Sequence, residues 1–247
     1  MIVRDESHVV GKTLETIVKH VPITSFVISD TGSTDNTIEI IESFFKERGV
    51  SGTVTRDEWR DFSYNRTLAI EHARRLSSDE YLFLFDADDS IHGVFPEPKN
   101  QTDMIMCNFG QYCKYFRPLF IRRTLPWRYR GVLHEYIESP PKATKSMLRG
   151  DYYIESGRTG ARNRNPNKYA DDARVLEKAL LTETDPQLVN RYRFYLAQSY
   201  RDANMIDEAI RAYTNVIKGS GWVQERYVSC VYIGTMYEKK GQSELAI

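Results

Sequence analysis

Asp86-Ala87-Asp88-Asp89 is the densest concentration of potential chemistry in the chain. Carboxylates packed this closely repel one another unless a cation or bound protons neutralise them. Their hard oxygens suit Mg²⁺ or Mn²⁺, and such an ion can in turn hold the oxygens of a diphosphate. The apolar run Tyr81-Leu82-Phe83-Leu84-Phe85 leads straight into the acids. That run predicts a buried strand, which would carry the acids to the edge of a sheet. Two more polar clusters follow short apolar runs: Arg4-Asp5-Glu6 after Met1-Ile2-Val3, and residues 30–36 after Ser25-Phe26-Val27-Ile28-Ser29.

The elements that must position these clusters alternate in type. Residues 8–20 carry Val9, Val10, Leu14, Ile17 and Val18 at helical spacing. Residues 37–48 repeat the pattern with Ile38, Ile41, Phe44 and Phe45, closed by Gly49. A short strand is expected over 50–55 and another amphipathic helix over 66–76. Alternation of strand and helix through about the first 90 residues predicts a parallel sheet covered on both faces, with ligands beyond the carboxyl ends of its strands. The three polar clusters fall at those ends.

Between residues 104 and 153 the pattern changes to short β-like runs, at Met104-Ile105-Met106-Cys107, residues 116–121 and Tyr152-Tyr153-Ile154. A mixed sheet with an antiparallel part fits them. Residues 157–168, rich in Gly, Arg and Asn, mark the expected boundary, giving one domain over 1–160 and a second over 161–247. Helices are expected at 169–181, 191–201, 206–218 and 225–239, with a break near Asp185-Pro186. Phe194-Tyr195-Leu196-Ala197-Gln198-Ser199-Tyr200 echoes residues 230–237, and Asp207-Glu208-Ala209-Ile210 echoes residues 243–247. The offset of about 37 residues is close to the ~34-residue tetratricopeptide period.

Composition bounds the function. The chain has 247 residues, 41% hydrophobic and 28% charged, with 34 Lys plus Arg against 34 Asp plus Glu. That balance argues against a nucleic-acid partner, which would call for excess cationic charge. The 3 cysteines, Cys107, Cys113 and Cys230, have neither zinc nor disulfide spacing and are expected as buried free thiols. With no transmembrane-length apolar run and no signal-peptide pattern, the expectation is a cytoplasmic protein. Met1-Ile2-Val3 is short for a central strand and the last residues fall inside a helical pattern, so a piece of a longer polypeptide is also expected.

Asp30-Thr31-Gly32-Ser33-Thr34-Asp35-Asn36-Thr37 and Phe85-Asp86-Ala87-Asp88-Asp89 resemble the two signature stretches of family-2 glycosyltransferases with the GT-A fold. Met1-Ile2-Val3-Arg4-Asp5-Glu6 resembles that family's first strand end, and Asp61-Phe62-Ser63-Tyr64-Asn65-Arg66 a stretch that commonly precedes its third helix. Trp127-Arg128-Tyr129-Arg130-Gly131-Val132-Leu133-His134-Glu135 is similar to the segment of the branch that carries tetratricopeptide-like tails. The resemblance spans about residues 1 to 160, with the helical tail fitting the same branch.

What it implies is an α/β GT-A fold, a Rossmann-like mixed sheet flanked by helices, followed by an all-α helical-repeat segment. The implied activity is an inverting, metal-dependent hexosyltransferase reaction from a nucleotide sugar, with a UDP-sugar favoured, to a glycan, protein or small-molecule acceptor. Arg4, Asp5 and Glu6 would line the nucleotide pocket, and Asp30 would contact the base or ribose. Asn65 and Arg66 would lie near the donor, with Arg66 neutralising diphosphate charge. Asp86 would meet the ribose or the metal, Asp88 would be the principal ligand of Mn²⁺ or Mg²⁺ in a DXD motif, and His134 a further ligand. Inversion by direct displacement needs a general base, for which Glu135 is the first choice, with Asp89 and Asp103 as alternatives. Arg158, Arg162, Arg164 and Lys168 would form either a lid over the donor phosphates or a solvated linker.

Two other readings compete. A nucleotidyltransferase would use nucleotide and metal over a similar sheet, but Asp5-Glu6-Ser7-His8 stands where a Gly-rich basic loop would be expected. A non-enzymatic tetratricopeptide interaction module is the other, although the tail holds little more than one repeat against the ~3 an independent solenoid needs.

Overall fold

A computed structural model describes residues 1–98 and 101–246. The chain divides into two compact units, Met1–Arg130 with Glu135–Arg164, and Gly131–His134 with Asn165–Ile247.

In the first unit β1 (Ile2–Val3), β2 (Ser25–Asp30) and β3 (Ser51–Arg56) make a parallel sheet in that order. The connections are α1 (Val10–His20) and α2 (Thr37–Glu47), and α3 (Phe62–Leu76) follows β3. Each helix exists because one face can be buried: Val10, Leu14 and Ile17 of α1, and Ile41, Phe44 and Phe45 of α2, enter one apolar core with Val3 and Ile28. α3 begins earlier than its apolar spacing suggests because the Asp61 carboxylate accepts the Tyr64 N–H and caps the helix at that point.

The second sheet is mixed, in the order β4-β7-β6-β11-β5. Its strands are β4 (Tyr81–Phe83), β5 (Asp89–Gly93), β6 (Met104–Phe109), β7 (Tyr115–Arg122) and β11 (Tyr152–Ser156). β8 (Arg128–Arg130) and β9 (Tyr136–Glu138) form an antiparallel ribbon, and β10 (Lys145–Leu148) pairs in parallel with β6. The single parallel sheet expected from the alternation is therefore split. β4 pairs with β7 and does not join the β1 ladder, since β1 offers only two paired residues.

Two threonines of α1 tie the first sheet's helix to the acidic turn. Buried Thr13 donates its hydroxyl to the Ala87 carbonyl at 2.7 Å, and Thr16 Oγ1 accepts from the Ile91 N–H at 3.0 Å. These contacts fix the backbone that carries Asp86, Asp88 and Asp89.

The second unit packs α4 (Lys168–Leu180), α5 (Pro186–Asp202), α6 (Ile206–Lys218) and α7 (Val223–Lys239) successively around Phe194, Ala197, Ala209, Tyr213 and Met236. Asp185-Pro186, read in sequence as a stop, starts α5: the Asp185 side chain accepts the Gln187 N–H and Pro186 sits at the first helical position. Among the cysteines only Cys107 is buried; Cys113 and Cys230 are exposed free thiols, against the expectation that all would be buried. No helix among the described residues is long and apolar enough to cross a membrane.

Replacing Thr13 with Val keeps shape but leaves the buried Ala87 carbonyl without its donor. The expected cost is ~1–3 kcal/mol in urea unfolding, with Thr13→Ser close to the parent protein.

Candidate functional site

The first edge of the site is a knot between two loops. Asp5 adopts a positive φ of 54°, which turns its N–H onto Ser33 Oγ at 2.9 Å. Its carboxylate accepts the Thr34 N–H at 2.7 Å. The Glu6 N–H reaches Thr37 Oγ1 at 2.8 Å, and the Ser7 N–H reaches Asp35 Oδ2 at 3.1 Å. Asp30, 3% exposed, turns back on its own loop and accepts the Gly32 and Ser33 N–H groups. Asp35 is pulled down to about 2: burial alone would raise it, but hydrogen bonds from Ser7 and Thr37 outweigh burial.

The second edge is a chain of charge. Arg66 of α3 holds Asp86 at 2.6 Å and lies 2.6 Å from Glu135 through Nε. The Nε contact lacks hydrogen-bond alignment, so the attraction to Glu135 is coulombic. Tyr129 of β8 stands 5.5 Å from the same guanidinium. Arg117 of β7 reaches the other oxygen of Asp86 at 3.4 Å. Burial by itself would protonate Asp86; the two arginines reverse that and hold it at about 2.

Asp88 and Asp89 are placed differently. Asp88 Oδ2 accepts the Thr159 and Gly160 N–H groups at 2.9 and 2.8 Å, while Glu6 accepts the Ala161 N–H at 3.2 Å. The loop after β11 therefore lies across both acids. Glycine is required for that approach: a Cβ on Gly157 would stand 2.0 Å from the Asp88 carbonyl oxygen, and one on Gly160 3.1 Å from Glu6 Oε1. Asp89, 2% exposed, leaves Oδ1 with no hydrogen-bond partner among the described residues. Burial, then the nearby Asp86 charge, push it up to about 7. Burial, aided by the Asp88 charge, also raises Glu6.

The structure thus brings together Asp5, Glu6, Asp30, Arg66, Asp86, Asp88, Asp89 and Glu135 in the first unit. Other expected residues lie elsewhere. Asn65 is fully buried and ties the preceding loop, its amide bonding the Arg60 N–H and the Glu58 carbonyl at 3.0 Å each. Asp103 pairs with Arg122 at 2.8 Å and with Thr144. His134 belongs to the helical unit, where its ring stacks on Tyr195 at 3.7 Å between centroids. Arg4 is exposed and leans toward Asp5 at 4.0 Å. Arg162 stacks over Phe62, whereas Arg158 is exposed. Sequence reading missed Arg117, although an arginine inside the apolar run Phe116-Arg117-Pro118-Leu119-Phe120 was itself the signal.

A hard divalent cation suits this donor set in kind. Asp89 Oδ1, without a hydrogen bond among the described residues, and the neighbouring Asp88 carboxylate are oxygen donors of the kind such an ion takes. Among the described residues, however, no group of three or more His, Cys, Asp or Glu is arranged to hold a metal. Any ion would draw further ligands from a bound molecule or water.

Residues 1–96 match the family model described as Glycosyl transferase family 2. No curated protein matches the chain. Among solved structures, residues 1–349 of S. aureus TarS in complex with UDP-GlcNAc align over 99% of this chain and 87% of that one, at 15% identity and a TM-score of 0.51. The longer S. aureus TarS chain aligns at 13% identity and 0.50, covering 99% of this chain and 52% of that one. The fold is accordingly GT-A, a mixed sheet flanked by helices, with a C-terminal helical region. The match over residues 1–96 supports a transferase.

Asp35→Asn tests the loop knot. Because the folded carboxyl sits at about 2, its contribution is present above the ordinary aspartate value and disappears as pH falls toward 2. The variant should be less stable by ~1 kcal/mol at neutral pH, the modest value reflecting a partly solvated site. Urea titrations at stepped pH should show that deficit closing between about pH 4 and pH 2.

Proposed function

We propose that the chain is an inverting glycosyltransferase that takes a sugar from a nucleotide sugar, with a divalent cation at Asp88. The observation that carries this reading is the acidic turn of residues 86–89. It is held by arginines from two elements, Arg66 of α3 and Arg117 of β7, within a GT-A fold.

Nucleotide binding would fall to the loops at Arg4, Asp5 and Glu6 and at residues 30–36, with Asp30 acting by shaping its turn. Asp86, fixed by Arg66 and Arg117, would accept a ribose hydroxyl. Arg66 and Arg117 would also answer the negative charge of the diphosphate. Asp88 would be the principal protein ligand of Mn²⁺ or Mg²⁺, with Asp86 as a further ligand and Asp89 adding negative charge around it. When bound, the cation supplies Lewis-acid stabilisation of the departing nucleoside diphosphate. Glu135, oriented by Arg66, is the proposed base for the acceptor hydroxyl, and Asp89 the alternative. UDP is the favoured nucleotide from the resemblance of the signature stretches, and the TarS chain of similar fold was solved with UDP-GlcNAc.

For the tail we propose a tetratricopeptide-like arrangement. The two sequence echoes fall on corresponding elements, residues 194–200 on α5 with 230–237 on α7, and residues 207–210 on α6 with the last turn at Ser243–Leu245. Gly234 supports it, since a Cβ there would meet the Ala246 carbonyl oxygen at 3.0 Å.

The test is a thermal-shift and donor-hydrolysis screen over UDP, UDP-sugars and GDP-sugars with Mn²⁺, Mg²⁺ or EDTA. UDP or a UDP-sugar should stabilise the protein only with metal, and Asp88→Ala should remove the shift and lower hydrolysis about a hundredfold or more. Equal stabilisation in EDTA would sink the metal role, and silence across every nucleotide would sink the transferase reading.

A further inference from the structure

Just beyond β3, Asp57 gathers partners from three elements. Its Oδ2 accepts the hydroxyls of Ser29 and Thr55 at 2.7 Å each, and its Oδ1 faces Nε2 of His72 on α3 at 2.9 Å. Its own N–H donates to the Asp30 carbonyl at 2.8 Å. The Asp57 and His72 side chains are 10% and 16% exposed. Burial alone would raise the Asp57 carboxyl, but hydrogen bonds from His72, Ser29 and Thr55 hold it below the usual carboxylate range. On the other side of the imidazole, Arg75 Nη2 stands 2.8 Å from His72 Nδ1. A guanidinium can only donate, so Nδ1 is the acceptor and the ring proton sits on Nε2, facing Asp57. Donation therefore runs one way, from Arg75 to His72 to Asp57.

Ser29 and Asp30 are the last residues of β2, where the loop that Asp30 folds back through Gly32 and Ser33 begins. On the same helix as His72, Arg66 holds Asp86. One helix is thus pinned to both edges of the site, to the acidic turn through Arg66 and to the loop of residues 30–36 through His72 and Asp57. Resting on the nucleotide-sugar reading above, we infer that Asp57 and His72 are positioning residues that set the nucleoside-binding loop at a fixed distance from the acidic turn. They act through Ser29 and the Asp30 backbone and not by contact with the donor. A loop already in place spends no binding energy on being ordered, so loosening it weakens the grip on the nucleoside and leaves the diphosphate contacts as they were.

Asp57→Asn tests this without a change of shape. The amide oxygen can keep Ser29 and Thr55, but the amide N–H would face the His72 N–H. A ring that moved its proton to Nδ1 would instead set that N–H against Arg75. With Mn²⁺ present, calorimetry should show UDP binding about tenfold more weakly to the variant, while inorganic pyrophosphate binds as it does to the parent chain. Equal pyrophosphate binding also establishes that the variant is folded. Adding Arg75→Glu puts an acceptor where a donor stood, so the ring can carry its proton on Nδ1 and accept at Nε2. The double variant should recover most of the UDP affinity. At mildly alkaline pH the nitrogen resonances of His72 should report Nδ1–H there and Nε2–H in the parent chain. Unchanged UDP affinity in Asp57→Asn would overturn the inference and leave the transferase reading intact. Equal losses for UDP and pyrophosphate would overturn it too, by showing a brace for the whole site. A parent chain that bound no nucleotide would remove the transferase reading and this inference with it.

Discussion

The arrangement depends on a buried negative charge that must be compensated. Asp86 is partly buried, and without a cation beside it that burial would favour the protonated acid. Arg66 from α3 and Arg117 from β7 prevent this, and each is itself raised by the acids it faces once its own desolvation is overcome. The same guanidinium that anchors Asp86 also attracts Glu135. One helix, one strand and the segment after residue 134 are thereby fastened to the acidic turn. Removing Arg66 would leave Asp86 to the longer contact with Arg117, and breaking such a pair costs more than it contributes as a net gain.

Against that anchored pair, Asp88 and Asp89 are under-compensated. Asp88 has only backbone N–H groups from residues 159 and 160, and Asp89 has an oxygen with no hydrogen bond among the described residues. Nearby Glu6 adds further negative charge. The site is thus asymmetric: Asp86 is paired with two arginines, Asp89 feels the charge of Arg117, and Asp88 accepts backbone N–H groups. Such an excess of negative potential attracts a cation, and the glycines of the covering loop permit the close approach of its backbone. A loop bonded to the acids by N–H groups alone can exchange those bonds for others with little reorganisation of side chains.

Much of this was legible in the residues. The apolar run at 81–85 gave both a buried strand and the location of the acids, because periodicity and burial are local consequences of composition. The loops after β1 and β2 were legible for the same reason. Pairings that depend on three-dimensional proximity were not. Nothing local to Arg117 says that it will face Asp86 from a different strand, and nothing local to Thr13 says that it will hold Ala87. Asn65 is the converse case: its motif suggested a place near the donor, and its amide is committed to the loop at Glu58 and Arg60. The short strands β5, β8, β9 and β10 also escaped detection, since three to five residues pairing across long separations carry too little pattern of their own.

The split between the sheets bears on the same anchor. Arg66 and Tyr129 line an apolar slot of about 350 Å³ as well as the acidic turn, so the guanidinium that compensates Asp86 has an unfilled space on its other side. A side chain with packing on one face only loses dispersion contacts and gains freedom to shift. The helix that carries Arg66 also presents Ala69, Ile70 and Ala73 to that space. The position of the charge pair, and with it the geometry offered to any ligand of Asp86 and Glu135, therefore depends on how α3 packs against the first sheet.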